Sequence, residues 1–314
     1  MSDIDNIKQI EKKDEIRLIS DENPVVTTGV VEGTPASTTE HVTVINVHPQ
    51  RRWAWVIASA LVALLVVFGA FFAIKQWNYY HNYGVNVSVT PEQNIAKLKR
   101  RVKPCTPEVV MTTDSVLGVQ LNFYELKGLK ATIELDEPAI TDKNVYLYSR
   151  CADISRERKF LGSLVIGGKV YSDDQSRLGY FGAVDSAMVI GISRFEDVRD
   201  YCVEHEGYYF RQFMMLSCGE LPSKFYLHGK VERRAIGRKE GNDNLFYIEA
   251  PNPETMYDFA DAMREYGFVD AIYITGGKTS SYYRTRGGVQ HVVGDTTQRP
   301  RAPIPGPWLV FRKQ

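Results

Sequence analysis

The sequence predicts an α+β fold: a large mixed, mainly antiparallel sheet with a few covering helices, preceded by a single transmembrane helix. Three observations predict it. One 22-residue run, Trp53–Ile74, "WAWVIASALVALLVVFGAFFAI", carries no charge. The chain after residue 105 is dominated by short runs rich in β-branched and aromatic residues, separated by Gly pairs and polar turns. Segments with helical spacing are few, and one of them leads through a short turn into a strand.

Residues 1–52 come first. Up to position 50 they are polar, contain no aromatic residue and carry more Asp and Glu than Lys and Arg. Such a segment buries too little apolar surface to offset its chain entropy, so a disordered tail is expected. One short helix near Ile7–Leu18 fits the pattern. "HVTVINV" (41–47) alternates like a strand without a visible partner.

The apolar run follows, in a span set at 53–75. At 1.5 Å per residue it is about 33 Å long, enough to cross a hydrocarbon core. Trp53, Trp55 and Trp77 stand where an aromatic belt lies. A core helix rarely runs six turns without a polar face, and a cleavable signal does not begin some 50 residues into a chain. The expectation is an uncleaved signal anchor. Arg51 and Arg52 in front, against Lys75 behind, put the N-terminus in the cytoplasm and the C-terminal domain outside it.

Residues 76–104 read as a juxtamembrane connector with one helix. Thr90 fits an N-cap, Pro91 the first helical position and Gln93 the capping-box position. Ile95, Leu98 and Val102 share a face, and Pro104 ends the helix. Lys97, Lys99, Arg100, Arg101 and Lys103 either touch anionic headgroups or form a solvated face.

Residues 105–314 form the globular part, long enough to bury roughly 70% of its unfolded surface. Strands are expected at 118–126, 130–135, 144–149, 162–172, 186–193, 209–217, 224–232, 244–250, 270–275 and 306–313. One helix opens at Ser193 and Glu196 as a capping box. A better one opens at Asn252-Pro253-Glu254, buries Met256, Phe259, Ala260 and Met263, and ends at Gly267.

Composition narrows the functions. The 314 residues carry no net formal charge, which does not favour a nucleic-acid partner. Cys105, Cys151, Cys202 and Cys218 show no Cys-x-x-Cys spacing and no histidine arranged with them, so no metal and no cofactor is implied. They are either two disulfides of an extracytoplasmic domain or four small buried apolar side chains.

"AIYITGGKTSSYYR" (271–284) has the Gly-Lys-Thr ending of a phosphate-binding loop. That loop needs a glycine five residues before Gly277, where Ile272 stands, and no helix follows to receive an anion. A nucleotide loop is excluded. Gly-x-Ser-x-Gly is absent. Glu204, His205 and Glu206 are neighbours in sequence and do not converge on one ion. The carboxylates of "DEP" and "SDD" sit in turn contexts.

What remains is an anion site. Arg233 and Arg234 offer a guanidinium fork, Gly276 and Gly277 let backbone amides approach closely, and Lys278, Ser280 and Ser281 add donors. Tyr282, Tyr283 and Arg284 offer a platform.

The order "RRAIGRKEGNDNLFYIEA", "TMYDFADAMREYGFVDAIYI", "TGGKTSSYY" resembles the phosphodiester glycosidase family, relatives of the enzyme that uncovers mannose 6-phosphate. "GSLVIGGKVYS" and "RLGYFGAVDSAMVIGIS" look like its earlier strand pairs. The resemblance covers about 105–314 and implies hydrolysis of a sugar-1-phosphodiester in an envelope glycan or glycolipid. Arg233, Thr275 and Ser280 fall at its catalytic positions, and Arg234, Gly276, Gly277, Lys278, Ser281 and Tyr283 at phosphate- or substrate-binding ones. Arg233, Gly237, Gly276, Gly277, Ser280 and Ser281 match the family pattern. Thr275 stands where the family has aspartate, Arg234 where it has threonine, and an Asn-Gly-Gly turn is missing near "LYSRCAD". Asp270, Glu220, Asp153 and Asp185 are the carboxylates available to replace the missing one. The alternative is a catalytically degenerate member that binds a glycan or a protein.

Overall fold

The computed structural model describes residues 50–81, 86–103, 105–277, 279, 281–285, 287–293 and 306–314. The expected tail, its short helix and "HVTVINV" lie outside the described residues, as do Pro104, Lys278 and Ser280. Contacts divide the chain into Met1–Val62 and Ala63–Gln314, with the boundary inside the first helix.

That helix, α1 (Gln50–His81), contains the run Trp53–Ile74, and none of that run is buried. A helix that is apolar on every side and meets no protein suits hydrocarbon, and it fits a single membrane pass. The other elements belong to the second unit. α2 (Pro91–Leu98) is closed by the expected capping box: Thr90 Oγ1 accepts from the Gln93 amide, and Gln93 Oε1 accepts from the Thr90 amide at 2.9 Å.

Sixteen described strands follow, all paired antiparallel and divided among three sheets. The first sheet has six: β1 (Glu108–Val116), β2 (Val119–Lys127), β12 (Leu245–Glu254), β11 (Val231–Lys239), β13 (Phe268–Ile274) and β10 (Met214–Leu216), in that order across it. The second runs β15 (Gln290–Val293), β14 (Ser281–Arg284), β4 (Val145–Arg150), β16 (Trp308–Lys313), β3 (Leu129–Glu134). The third runs β6 (Lys169–Ser172), β5 (Leu164–Ile166), β9 (Tyr208–Gln212), β7 (Gly179–Val184), β8 (Ala187–Ile192). Two further helices, α3 (Asp197–Glu204) and α4 (Met256–Glu265), complete the set.

The α+β class holds, with the strands spread over three sheets. The reason is burial on both faces. One core takes Tyr124 and Ile272 from the first sheet, Ala131 and Leu147 from the second, and Phe181 and Phe210 from the third. The far face of the first sheet packs under α4, where Met256, Phe259, Ala260 and Met263 are buried as their spacing requires. The third sheet is covered by α2 and α3 through Leu98, Val198 and Cys202. Sheets covered on both sides read as continuous apolar runs rather than clean alternation.

Three local expectations are corrected. α4 begins later than the Asn-Pro-Glu signal, because β12 stays paired to Glu254 opposite Val231; Thr255 is the cap, accepting from the Asp258 amide at 3.0 Å. α3 has no capping box: Glu196 is instead engaged by buried Arg211 at 3.1 Å, and Ser193 Oγ accepts from the Phe195 amide. Of 224–232 only the end is strand. Phe225 and Leu227 there alternate because they pack beside α4 while Tyr226 stays exposed.

All four cysteines are free, Cys105 and Cys218 exposed, Cys151 and Cys202 buried. Burial pushes the Cys202 thiol up to about 12 and raises the Cys151 thiol as well. The folded chain should therefore alkylate at Cys105 and Cys218 only, with the other two reacting after unfolding. Peptide mapping of maleimide adducts reads this, and labelling of Cys151 or Cys202 in the native state contradicts it.

Candidate functional site

β11 and β13 are neighbours, with Arg234 paired to Ile274, so the strand ends that carry the arginines and Thr275 lie side by side. Beyond β13 the chain turns sharply. The Gly277 amide donates to Glu232 O at 2.7 Å, and Gly277 takes a left-handed φ of 71°. Gly276 passes so close that an added Cβ would lie 2.3 Å from Glu232 O. Gly276→Ala therefore forces the turn off the sheet. A loss of about 1–3 kcal/mol is expected, read as a lower thermal midpoint; an unchanged midpoint would show that the turn is not held there.

The expected fork does not form. Successive strand residues face opposite ways, so Arg233 and Arg234 separate. Arg233, 2% exposed, donates from Nε to Glu254 O at 2.9 Å and from Nη2 to Gly229 O at 2.7 Å. Arg234 is fully buried and donates to Thr275 O at 3.4 Å, to Thr279 O at 2.6 Å and to Thr279 Oγ1. Its Nε lies 3.8 Å from Glu249 Oε2, as a charge pair beyond hydrogen-bond reach. Burial, opposed by Arg234, holds the Glu249 carboxyl above its ordinary value. Tyr247 Oη joins Glu249 at 3.2 Å to Ser281 Oγ at 2.8 Å, and Ser281 reaches Ser149 Oγ at 2.9 Å. Ser281 and Arg234 thus belong to a buried polar chain that anchors the 275–279 turn.

The Gly276 amide donates to Tyr273 Oη at 3.0 Å, so both glycine amides have partners within the chain. The aromatic platform is not at the surface. Tyr282 is buried and stacks on Tyr148, Tyr283 is 8% exposed between Tyr124 and His291, and Arg284 donates to the carbonyls of Ile140, Asp142 and Val145. These three residues look outward on paper because they are polar-tipped; in β14 they fill the second sheet.

Thr275 is where the structure brings something new together. Its hydroxyl donates to Asp153 Oδ1 at 3.0 Å. Asp153 follows β4, and its other oxygen accepts from Arg177 Nη1 at 3.1 Å and from Gln212 Nε2 at 3.3 Å. Arg177 also donates to Gln212 Oε1 and lies 4.2 Å over the Phe213 ring. Residues reached from all three sheets meet in this cluster. The Arg177 side chain is 7% exposed and that of Asp153 26%, so Asp153 is the more open of the pair. Burial first, then the Asp153 charge, raises the Tyr273 phenol above its ordinary value.

Of the other carboxylates considered, Asp270 pairs with Arg238, Glu220 accepts from Asn86, and Asp185 sits at a turn with φ 51°. Only Asp153 reaches Thr275. Arg177, Gln212 and Glu249 were not singled out from sequence. Glu249 had a signal: one acid inside the apolar run "LFYIEA", standing in register with Arg234 inside another buried strand. Among the described residues no group of His, Cys, Asp and Glu is arranged for a metal ion.

The fold and site together define an α+β protein with a candidate membrane helix and a carboxylate held by a hydroxyl, an amide and a guanidinium. No family model matches the chain, and no curated protein matches it. Among solved structures it is similar to the catalytic domain of zebrafish N-acetylglucosamine-1-phosphodiester alpha-N-acetylglucosaminidase, auto-inhibited by its pro-peptide, at 11% identity and TM-score 0.49 over 69% of this chain and 86% of that one. It is also similar to a hypothetical protein from Synechocystis at 11% identity and TM-score 0.47, over 65% of this chain and 62% of that one.

Proposed function

We propose that the chain is a membrane-anchored, extracytoplasmic hydrolase that cleaves a sugar-1-phosphodiester in an envelope glycan or glycolipid, with Asp153 as its carboxylate. The observation that supports this is the 3.0 Å contact between Asp153 and Thr275. A phosphomonoester leaves an anomeric carbon without first being protonated, so one carboxylate suffices in principle. Water attacks the anomeric carbon, the bond to the phosphate oxygen breaks, and Asp153 takes the proton of the water. Thr275, Arg177 and Gln212 hold the carboxylate in one orientation, which is how a positioned base gains its advantage over a free one. The anchor is α1, and Arg51 and Arg52 ahead of it support the outward placement of the domain.

A second reading has its own support. Arg233, Arg234 and the amides of Gly276 and Gly277 all donate to groups of the chain itself. A domain with its phosphate donors engaged is suited to holding a neutral part of a glycan rather than to stabilising a departing phosphate.

The full-length chain in detergent, given a set of alkyl sugar-1-phosphates, separates the two. Release of free sugar supports hydrolysis. A raised thermal midpoint without release supports binding. Neither response to any of them rejects both.

A further inference from the structure

We propose that a cleft beside α2 binds an anionic phospholipid of the membrane that α1 crosses. The cleft encloses about 390 Å³ and lies away from the Asp153 cluster. Lys97, Arg100 and Arg101 line it, together with exposed Val102 and half-buried Met188. Cations beside exposed apolar side chains match an amphiphile, whose phosphate meets the guanidinium groups while its first methylenes cover Val102 and Met188.

Three further observations favour this occupant over a merely solvated helix. First, α2 is docked. Asn94 is 3% exposed and donates to Tyr180 Oη at 2.7 Å and to Ile190 O at 3.1 Å, and Leu98 is buried beneath it. Lys97 therefore sits on a fixed helix, and Arg100, whose amide donates to Lys97 O at 3.1 Å, follows directly on its end. Second, the charge is concentrated. A chain with no net charge places Lys97, Lys99, Arg100, Arg101 and Lys103 within seven consecutive positions. Asp243, in the lining, lies 4.0 Å from Lys97 Nζ, and among the described residues neither Arg100 nor Arg101 has an ion-pair partner within 4.0 Å. Third, α2 is tethered to the membrane-spanning helix by a short link. Residues 82–90 alone separate α1 from α2, and so short a link spans at most about 35 Å. A juxtamembrane basic cluster gains about 1 kcal/mol per residue near an anionic surface. The cleft adds shape to that attraction. It accommodates a headgroup and the start of an acyl chain, not a whole lipid.

The test uses the full-length chain in nanodiscs of phosphatidylcholine alone or mixed with phosphatidylglycerol, read by amide hydrogen exchange. Slowing by ~tenfold across 97–103 and 186–188 is expected with the anionic lipid only. Raised salt should reduce it. Arg100→Gln with Arg101→Gln should erase it, and because both side chains are exposed the thermal midpoint should stay unchanged. Equal exchange in the two discs overturns the proposal. So does protection that survives in the double variant. The same slowing produced by inorganic phosphate in phosphatidylcholine discs also overturns it, since that marks a site for free anions.

Discussion

Arg234→Ala lowers the stability of the domain by about 3–5 kcal/mol. For a domain of this size that is a drop of about 6–20 °C in thermal midpoint. Arg234 and Glu249 have side chains 1% and 2% exposed. Removing the guanidinium strands a carboxylate in the interior and also frees the 275–279 turn from its three bonds. Replacing both members by apolar residues of similar volume, Arg234→Met with Glu249→Leu, removes both buried charges and should recover most of the loss. If the double variant is no better than the single one, the turn rather than the charge sets the cost. The pH dependence follows from Glu249. Its carboxyl is raised above the ordinary 4.5 by burial. Its contribution is fully present below that value and is lost as pH rises through the raised one, because the unfolded chain gives up its proton first. Wild type should therefore lose stability relative to Glu249→Gln as pH climbs from acid toward neutral. A difference that is flat or of opposite slope contradicts the assignment.

Asp153→Asn lowers hydrolysis by about 10²–10⁴-fold if the proposed chemistry holds, a barrier increase of about 3–5 kcal/mol. The amide keeps the size and much of the hydrogen bonding toward Thr275 but cannot take a proton from water. The loss should fall on kcat, with KM little changed, since the group acts on water and not on the sugar. Thr275→Val keeps the shape and removes the bond to Asp153, so turnover should fall ~tenfold through a misplaced carboxylate. Thr275→Ser should restore it, which a purely packing role of Thr275 would not require. Full activity in Asp153→Asn would remove Asp153 from the chemistry.

Much of the architecture was legible. The capping box of α2, the buried face of α4 and its end at Gly267 follow from spacing, because a helix repeats its side chains every 3.6 residues. Most strands were visible for the complementary reason, their apolar runs. β1 was not: of "EVVMTTDSV" only Val109 is buried, since the strand lies at a sheet edge. Glu196 and the 224–232 segment misled because a good local signal lost to a long-range partner, Arg211 in one case and the α4 face in the other.

For the site, residue identity located Thr275 and the Gly-Gly turn, and named Asp153 only as one of four carboxylates. By itself the sequence determined the apolar span, the α+β class and the glycine turn after β13, because these depend on local pattern and backbone freedom. Only the tertiary structure decided which carboxylate meets Thr275, that Arg233 and Arg234 face apart, and that Tyr282, Tyr283 and Arg284 are interior. Those outcomes depend on strand register and on which sheet covers which. Residues as distant in the chain as Asp153 and Thr275 become neighbours only when three sheets close on one core.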